Sequence, residues 1–466
     1  MKKKNKHLLA QAALVMALAH AAASQAQPLS FESAWQRLLS NSDKLAAAQS
    51  AVDSKRLQGE GLKGLGGPVV SVTGASYVYN ANLNINLDPV NQGIAQATQS
   101  LPAPLKNVPI TVSPLPSQYI YNRHESATNA SVSAVWPIYT GGAADSMRGF
   151  VKAQGDEAQA DAARTNQELA TLLAQRYFGA QLAARAARLR AAARDNVARH
   201  DSTAERLLAA GLISRIERLQ AQSAYEEAKR NALKAQDDAD MAMLALARTI
   251  KVSGPVEALS PLFVISQPLE PLPHFTEAAL RRHPGLDKVA AKKAQAEQLH
   301  EGEEAMRRPQ VFAFGQHQIK NDNPDWVAGI GVRWTLWDAV NRDTLAAASL
   351  KQVEQAERTD AQARNDIALL VEKNWRALEN ARRQFLGQQT SAELAAEVLR
   401  LRTAALREGT GTALELIDAE TNRAKVQTER AQAAYEYVMA LANLLESCGL
   451  SEEFSAYMAR ADVHVE

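Results

Sequence analysis

The chain repeats itself, and this duplication restricts its possible folds more than any other feature. Phe31-Glu32-Ser33-Ala34 leads into Asp43-Lys44-Leu45-Ala46-Ala47, and Phe275-Thr276-Glu277-Ala278 leads into Asp287-Lys288-Val289-Ala290-Ala291, at one spacing of 244 residues held over seventeen positions. Trp136-Pro137-Ile138-Tyr139 is answered by Trp334-Thr335-Leu336-Trp337, and each of these first tryptophans stands 75 residues before a glycine, Gly211 or Gly409. Two copies of one plan must therefore account for nearly the whole chain.

Each half reads as helix, strand, loop, strand, very long helix, tight break, helix. In the second half the pieces fall at about 275–305, 310–319, 326–337, 340–407 and 413–447. The stretches 143–208 and 340–407 carry no proline and few glycines, and a continuous helix over either would run on the order of 100 Å. Aromatic residues are only 5% of the chain, while alanine, leucine, arginine, glutamate and glutamine favour long, closely packed helices over a single globular core. Patches such as Ala180, Ala183, Ala184 and Ala187 allow helices to approach one another.

The segment 326–337 alternates, with Trp326, Ala328, Ile330, Val332, Trp334 and Leu336 on one face and Gly329, Gly331, Arg333 and Thr335 on the other. Ala130, Val132, Ala134 and Trp136 alternate with Asn129, Ser131 and Ser133 in the same way. Strands of roughly 10 to 12 residues suit a tilted membrane crossing, with Tyr77, Tyr79, Tyr139, Trp334 and Trp337 placed for interfacial belts. A soluble four-stranded sheet is the alternative. Four strands cannot close a barrel in lipid, so the membrane reading requires several copies, and three copies give twelve strands. The loop 80–123 carries Pro89, Pro102, Pro104, Pro109, Pro114 and Pro116, whereas the matching turn after Ile319 is short.

Residues 1–26 read as an export signal: four early lysines, an apolar run from Leu8 to Ala19, and the small-residue site Ser24-Gln25-Ala26. No later segment has the apolar length of a membrane helix. Without the signal's four lysines, 48 basic residues face 51 acidic ones, which offers nothing to nucleic acid. Cys448 is the single cysteine, so no intrachain disulfide forms, and its apolar surroundings suit a small buried hydrophobe.

The two breaks read Ala210-Gly211-Leu212-Ile213-Ser214-Arg215-Ile216-Glu217 and Glu408-Gly409-Thr410-Gly411-Thr412-Ala413-Leu414-Glu415-Leu416-Ile417-Asp418. Gly211 and Gly409 suit a helix C-terminus, and Ser214 and Thr412 suit the N-cap of the next helix. With these breaks, the duplication and the strands together, the chain resembles the TolC family, the outer-membrane factors of efflux pumps and type I secretion systems. That resemblance implies a mainly α fold with a small β part: a long antiparallel helical tunnel, or α-barrel, joined to a transmembrane β-barrel with four strands per protomer and twelve in a homotrimer. It also implies a passive exit channel in the outer membrane of a Gram-negative bacterium, with a periplasmic tunnel opened by a periplasmic adaptor (membrane fusion) protein and an inner-membrane transporter.

On the same resemblance, Gly211, Leu212, Ile213, Ser214, Gly409, Thr410, Gly411 and Thr412 form the adaptor-contact tips. Glu415 and Asp418, three apart on one helix face, with Glu217 in the first repeat, form a periplasmic gate in which a ring of carboxylates favours cations and resists closure. The plain alternative for these acids is a solvated helix start, where the helix dipole favours them. Some family members lock this entrance with a tyrosine and an arginine; the matching positions are Leu406 and Gly411, with Arg215, Arg402 and Arg407 nearby as substitutes. The rival reading is a non-conducting periplasmic helical structural or adhesive protein.

The resulting plan is a signal peptide over 1–26, a first repeat over 27–250, a linker over 251–274, a second repeat over 275–448 and a C-terminal tail over 449–466. Gly59, Gly61 and Gly64 satisfy a dinucleotide pattern but follow a helix and precede a strand, the reverse of such a site. His274, His283 and His317 lack ligand spacing. No enzyme, cofactor or metal site is predicted.

Overall fold

The computed structural model describes residues 27–100, 112–319, 325–337 and 339–465. The predicted signal peptide, Pro102, Pro104, Pro109 and the turn at 320–324 lie outside them. In chain order the elements are β1 (Gln27–Leu29), α1 (Phe31–Asn41), α2 (Asp43–Gly61), β2 (Val69–Asn86), α3 (Asp88–Gln99), β3 (Gln118–Tyr139), α4 (Ala143–Ala209), α5 (Arg215–Thr249), β4 (Val256–Ala258) and β5 (Leu262–Val264). They continue with α6 (Leu272–Arg282), α7 (Pro284–Ala305), β6 (Gln310–Gln318), β7 (Trp326–Arg333), α8 (Arg342–Arg407), α9 (Ala413–Cys448), α10 (Phe454–Ala459) and β8 (Val463–Val465).

The two proline-free stretches are single helices of 67 and 66 residues, α4 and α8. Other boundaries differ from expectation for local reasons. The helix predicted over 275–305 is two helices, because Pro284 drives His283 out of the helical region, to ψ 118°. Its repeat equivalent breaks at Ser42, whose Oγ accepts the Leu45 N–H at 3.3 Å. The strand predicted over 326–337 stops at Arg333, because Arg333 pairs with Gln310 and the preceding Pro309 cannot extend that ladder. The described residues of the loop predicted over 80–123 include regular elements: β2 and β3 pair in antiparallel register from Val69↔Val135 to Asn86↔Gln118, and α3, with a proline in its first turn, follows β2.

The chain divides into two compact units, and neither unit is a sequence repeat: each draws on both halves. The sheet unit, residues 63–146 and 301–346, carries the four-stranded antiparallel sheet in the order β2-β3-β6-β7. The pairing Trp136↔Ala313↔Ile330 and Ala134↔Gly315↔Ala328 puts the two apolar stripes predicted separately on one face of this sheet. On the other face the Phe312 and Phe314 rings lie over Gly331 and Gly329, where a Cβ would sit 2.6 and 3.1 Å from ring carbons. Strands β2 and β7 are open edges among the described residues.

The helical unit holds the buried core. Phe178 stacks on Phe31 at 5.4 Å and meets Tyr177, Phe263 and Phe454 at 5.2, 5.6 and 6.0 Å between ring centres. The Tyr177 hydroxyl donates to the Leu29 carbonyl and accepts the Ser260 N–H, both at 2.7 Å. At the repeat-equivalent position the Trp375 indole N–H donates to the Glu270 carbonyl at 3.1 Å.

The predicted linker and tail are parts of this core. β4 pairs in parallel with β1, β5 pairs antiparallel with β8, and Phe454, Tyr457 and Val465 are buried. Burial pushes the Cys448 thiol up to about 12, as suits a small hydrophobe rather than a nucleophile.

Candidate functional site

The two turns joining α4 to α5 and α8 to α9 share one local design. Gly211 and Gly409 take φ of +73° and +75°, which a glycine adopts without steric cost. The Gly211 N–H donates to the Leu208 carbonyl and the Leu212 N–H to the Leu207 carbonyl, both at 2.9 Å. At the second turn, Gly409 and Thr410 donate in the same way to Leu406 and Ala405, at 3.3 and 3.0 Å. Each incoming helix thus ends by satisfying its last carbonyls on the turn itself.

Each outgoing helix opens with a reciprocal cap. The Glu217 N–H donates to Ser214 Oγ at 3.3 Å, while the Ser214 N–H donates to the Glu217 carboxylate at 2.7 Å. Thr412 and Glu415 repeat this at 3.2 and 3.1 Å. Glu217 and Glu415, two residues predicted for a gate, therefore also hold the turns together.

The Thr412 backbone N–H, and then the Arg402 guanidinium at 3.0 Å, hold the Glu415 carboxyl below the usual glutamate range. The Ser214 backbone does the same for Glu217. Arg402 thus spans from α8 to α9, whereas Arg215 and Arg407, exposed as Arg402 is, make no such link among the described residues. Asp418 is exposed and makes no hydrogen bond or ion pair among the described residues. Glu217 bonds within its own turn and does not join Glu415 or Asp418.

Between the two acids of α9 lies a residue that the sequence reading passed over. Ile417 is 2% exposed and packs with Val197 and Ala204 of α4 and Ala221 of α5, flanked by Ile213 and Tyr225. This small apolar contact ties the second hairpin to the first. The spacing of Ala221, Ala224 and Ala228 along one helix face was its available signal. Asp201 and Arg218, both mostly buried, pair at 2.5 Å across α4 and α5. The outer surface of the first turn stays apolar and open, with Leu212 71% and Ile216 68% exposed.

Acid is expected to loosen these turns. Burial lowers the pKa of His200 on α4, and this outweighs the opposing Glu420 carboxylate on α9. A histidine held neutral costs stability as the pH falls below its unfolded value, and carboxyls held ionised lose theirs as the pH falls through the glutamate range. Protection from hydrogen exchange at residues 211–220 and 409–418, taken relative to the intrinsic exchange rate at each pH, should therefore fall in two stages on acidification. His200→Gln should remove the first stage and leave the second, and a single stage in the unaltered protein would contradict this assignment.

Among the described residues no helix is long and apolar enough to cross a membrane, and no cluster suits a metal ion. The profile of the family described as outer membrane efflux protein matches residues 34–250. A search of curated proteins by sequence finds no match. Among solved structures, the channel-forming protein CusC is similar at 14% identity, with a TM-score of 0.73 over 90% of this chain and 91% of that one. The CmeC outer membrane channel of Campylobacter jejuni is 12% identical, with a TM-score of 0.71 over 92% and 88%. The MtrE outer membrane channel of Neisseria gonorrhoeae, in its open state, is 16% identical, with a TM-score of 0.71 over 90% and 88%.

Proposed function

We infer that this chain, whose residues 34–250 match the outer membrane efflux protein family, is the outer-membrane exit channel of a tripartite efflux pump or type I secretion system. The observation that carries this reading is the sheet: four strands with two open edges and a largely apolar face where all four strands lie side by side, on which Trp326 and Ile330 are exposed. Lipid tolerates no unpaired edge, so three copies closing twelve strands satisfy both the edges and the face. A rod that conducts nothing leaves that apolar face without a purpose.

The family's members are conduits rather than enzymes, and energy for export comes from partners. In this reading the chain forms a homotrimer in outer-membrane lipid, with its helical tunnel in the periplasm. A periplasmic adaptor engages the turns at 211–214 and 409–412, where Leu212 and Ile216 offer an apolar surface, and an inner-membrane transporter delivers the cargo.

Within the tunnel, Glu415 and Asp418 of three copies line the constriction. Glu415 is partly neutralised by Arg402 and serves as a cap, so Asp418 carries most of the selectivity. Asp418→Asn should lower cation preference and block by multivalent cations in planar-bilayer recordings. Glu415→Gln, which keeps the cap because glutamine serves the same box, should change them less. Unchanged selectivity in the double variant would move the constriction elsewhere.

A further inference from the structure

The β2–β3 ladder inverts its polarity part-way along. Near the start of β2, one face carries Val70, Val72, Val132 and Ala134, and the other carries Ser71, Thr73, Ser131 and Ser133. Beyond Ala81 the same two faces exchange character. The face that held valines now presents Asn82 and Asn84 opposite Asn122 and Ile120, while the face that held serines, past an exposed Arg123–Glu125 ion pair at 2.7 Å, presents Leu83 and Ile85 opposite Tyr121 and Tyr119.

These four apolar side chains remain between 38% and 54% exposed although α3 is in place. No strand of the same chain flanks this part of the ladder, because β6 begins pairing with β3 only at Ser131. The open edge of β2 gains no full cover from a neighbouring copy either, since β7 has eight residues against eighteen in β2. The outer end of the hairpin is thus a two-stranded ribbon whose tip gathers Leu83, Ile85, Tyr119 and Tyr121 on one face beyond the Arg123–Glu125 pair, a form that is marginal in water until that tip is covered.

A second copy is the occupant that the geometry supplies. The inference rests on the exit-channel reading, in which the valine face meets lipid and the serine face lines the lumen. The ribbon's Leu83, Ile85, Tyr119 and Tyr121 then continue the lumen face, and threefold closure turns three such faces toward one axis. Eight residues of strand span ~26 Å at about 3.3 Å each. Twelve strands spaced about 4.8 Å apart and tilted about 40° make a barrel of only ~12 Å radius, so each ribbon is long enough to reach the axis. The asparagine face, lying past the apolar band, is left to water.

We propose that the three ribbons pack their apolar faces against one another across the axis, forming a collar at the outer mouth that parts for outgoing cargo. Ile85 and Asn84 are adjacent in one strand and point to opposite faces, which gives a matched pair for the test. Ile85→Cys and Asn84→Cys trimers, treated with a short bismaleimide, should differ: most of the first becomes covalent dimer and the second stays uncrosslinked. The buried Cys448 leaves the background silent, and Leu83→Cys replaces Ile85→Cys if that variant does not assemble. A trimer with equal yields at the two positions overturns the collar alone. A chain that never trimerises overturns the collar and the exit-channel reading together.

Discussion

Phe178→Ala is expected to abolish most of the heat resistance of the protein, at a cost of about 3–5 kcal/mol. Phe178 has no exposed surface and sits where remote segments meet: Phe31 from the start of α1, Phe263 from β5 and Phe454 from α10 all touch it. Removing the ring leaves a void lined by aromatic residues fixed on different elements, which cannot collapse without moving several segments at once. Loss on this scale is a large share of the ~5–15 kcal/mol that holds a typical fold. Arg281→Ala provides the reference, since Arg281 makes only an exposed pair with Glu277 one helical turn away, worth about 0.5 kcal/mol or less. Thermal melting, followed by tryptophan fluorescence, should separate the two variants clearly. Equal melting would mean that the helical unit is not held by this aromatic cluster.

Gly449→Val is expected to undock the C-terminal segment. Gly449 ends α9 at φ +69°, donating to the Glu446 carbonyl at 3.0 Å, while the Leu450 N–H donates to Leu445 at 2.8 Å. A Cβ there would stand 2.5 Å from the Arg282 carbonyl oxygen and 2.9 Å from its carbon. Those atoms belong to the end of α6, directly before the His283–Pro284 break, and have no freedom to retreat. The left-handed conformation costs a side chain roughly 1–2 kcal/mol, and overpacking against fixed backbone adds about 1–3 kcal/mol. Gly211→Val isolates the first of these, because Gly211 has φ +73° with nothing within 4 Å of a Cβ. Limited proteolysis should release fragments cut after residue 449 from Gly449→Val and not from Gly211→Val. Equal resistance in both would show that the approach of α9 to α6 does not hold the segment down.

What could be read along the chain and what could not follow a physical division. The turns at Gly211 and Gly409, the caps at Ser214 and Thr412, and the helices α4 and α8 were legible because each depends on residues within about one helical turn of one another. The apolar stripes at 130–136 and 326–332 were legible for a similar reason, since alternation is a property of one strand.

The roles of particular side chains were less so. Glu217 and Glu415 stood out as acids at a turn, and the fold makes them caps as well; Ile417 did not stand out, and the fold buries it between hairpins. The proline-rich stretch 80–123 masked alternation that persists through Ile85, because prolines signal loops more strongly than short alternating runs signal strands.

The sequence by itself determined the duplication, the long helices, their paired turns and an alternating face suited to lipid, since all of these are written in local spacing. Only the tertiary structure decided that β3 pairs with β6 across the repeats, that the supposed tail closes the aromatic core, and that the outer ribbon carries its apolar face opposite the valines. Those outcomes join segments up to hundreds of residues apart, and such contacts depend on which surfaces need cover once the helices and strands exist, which no local spacing records.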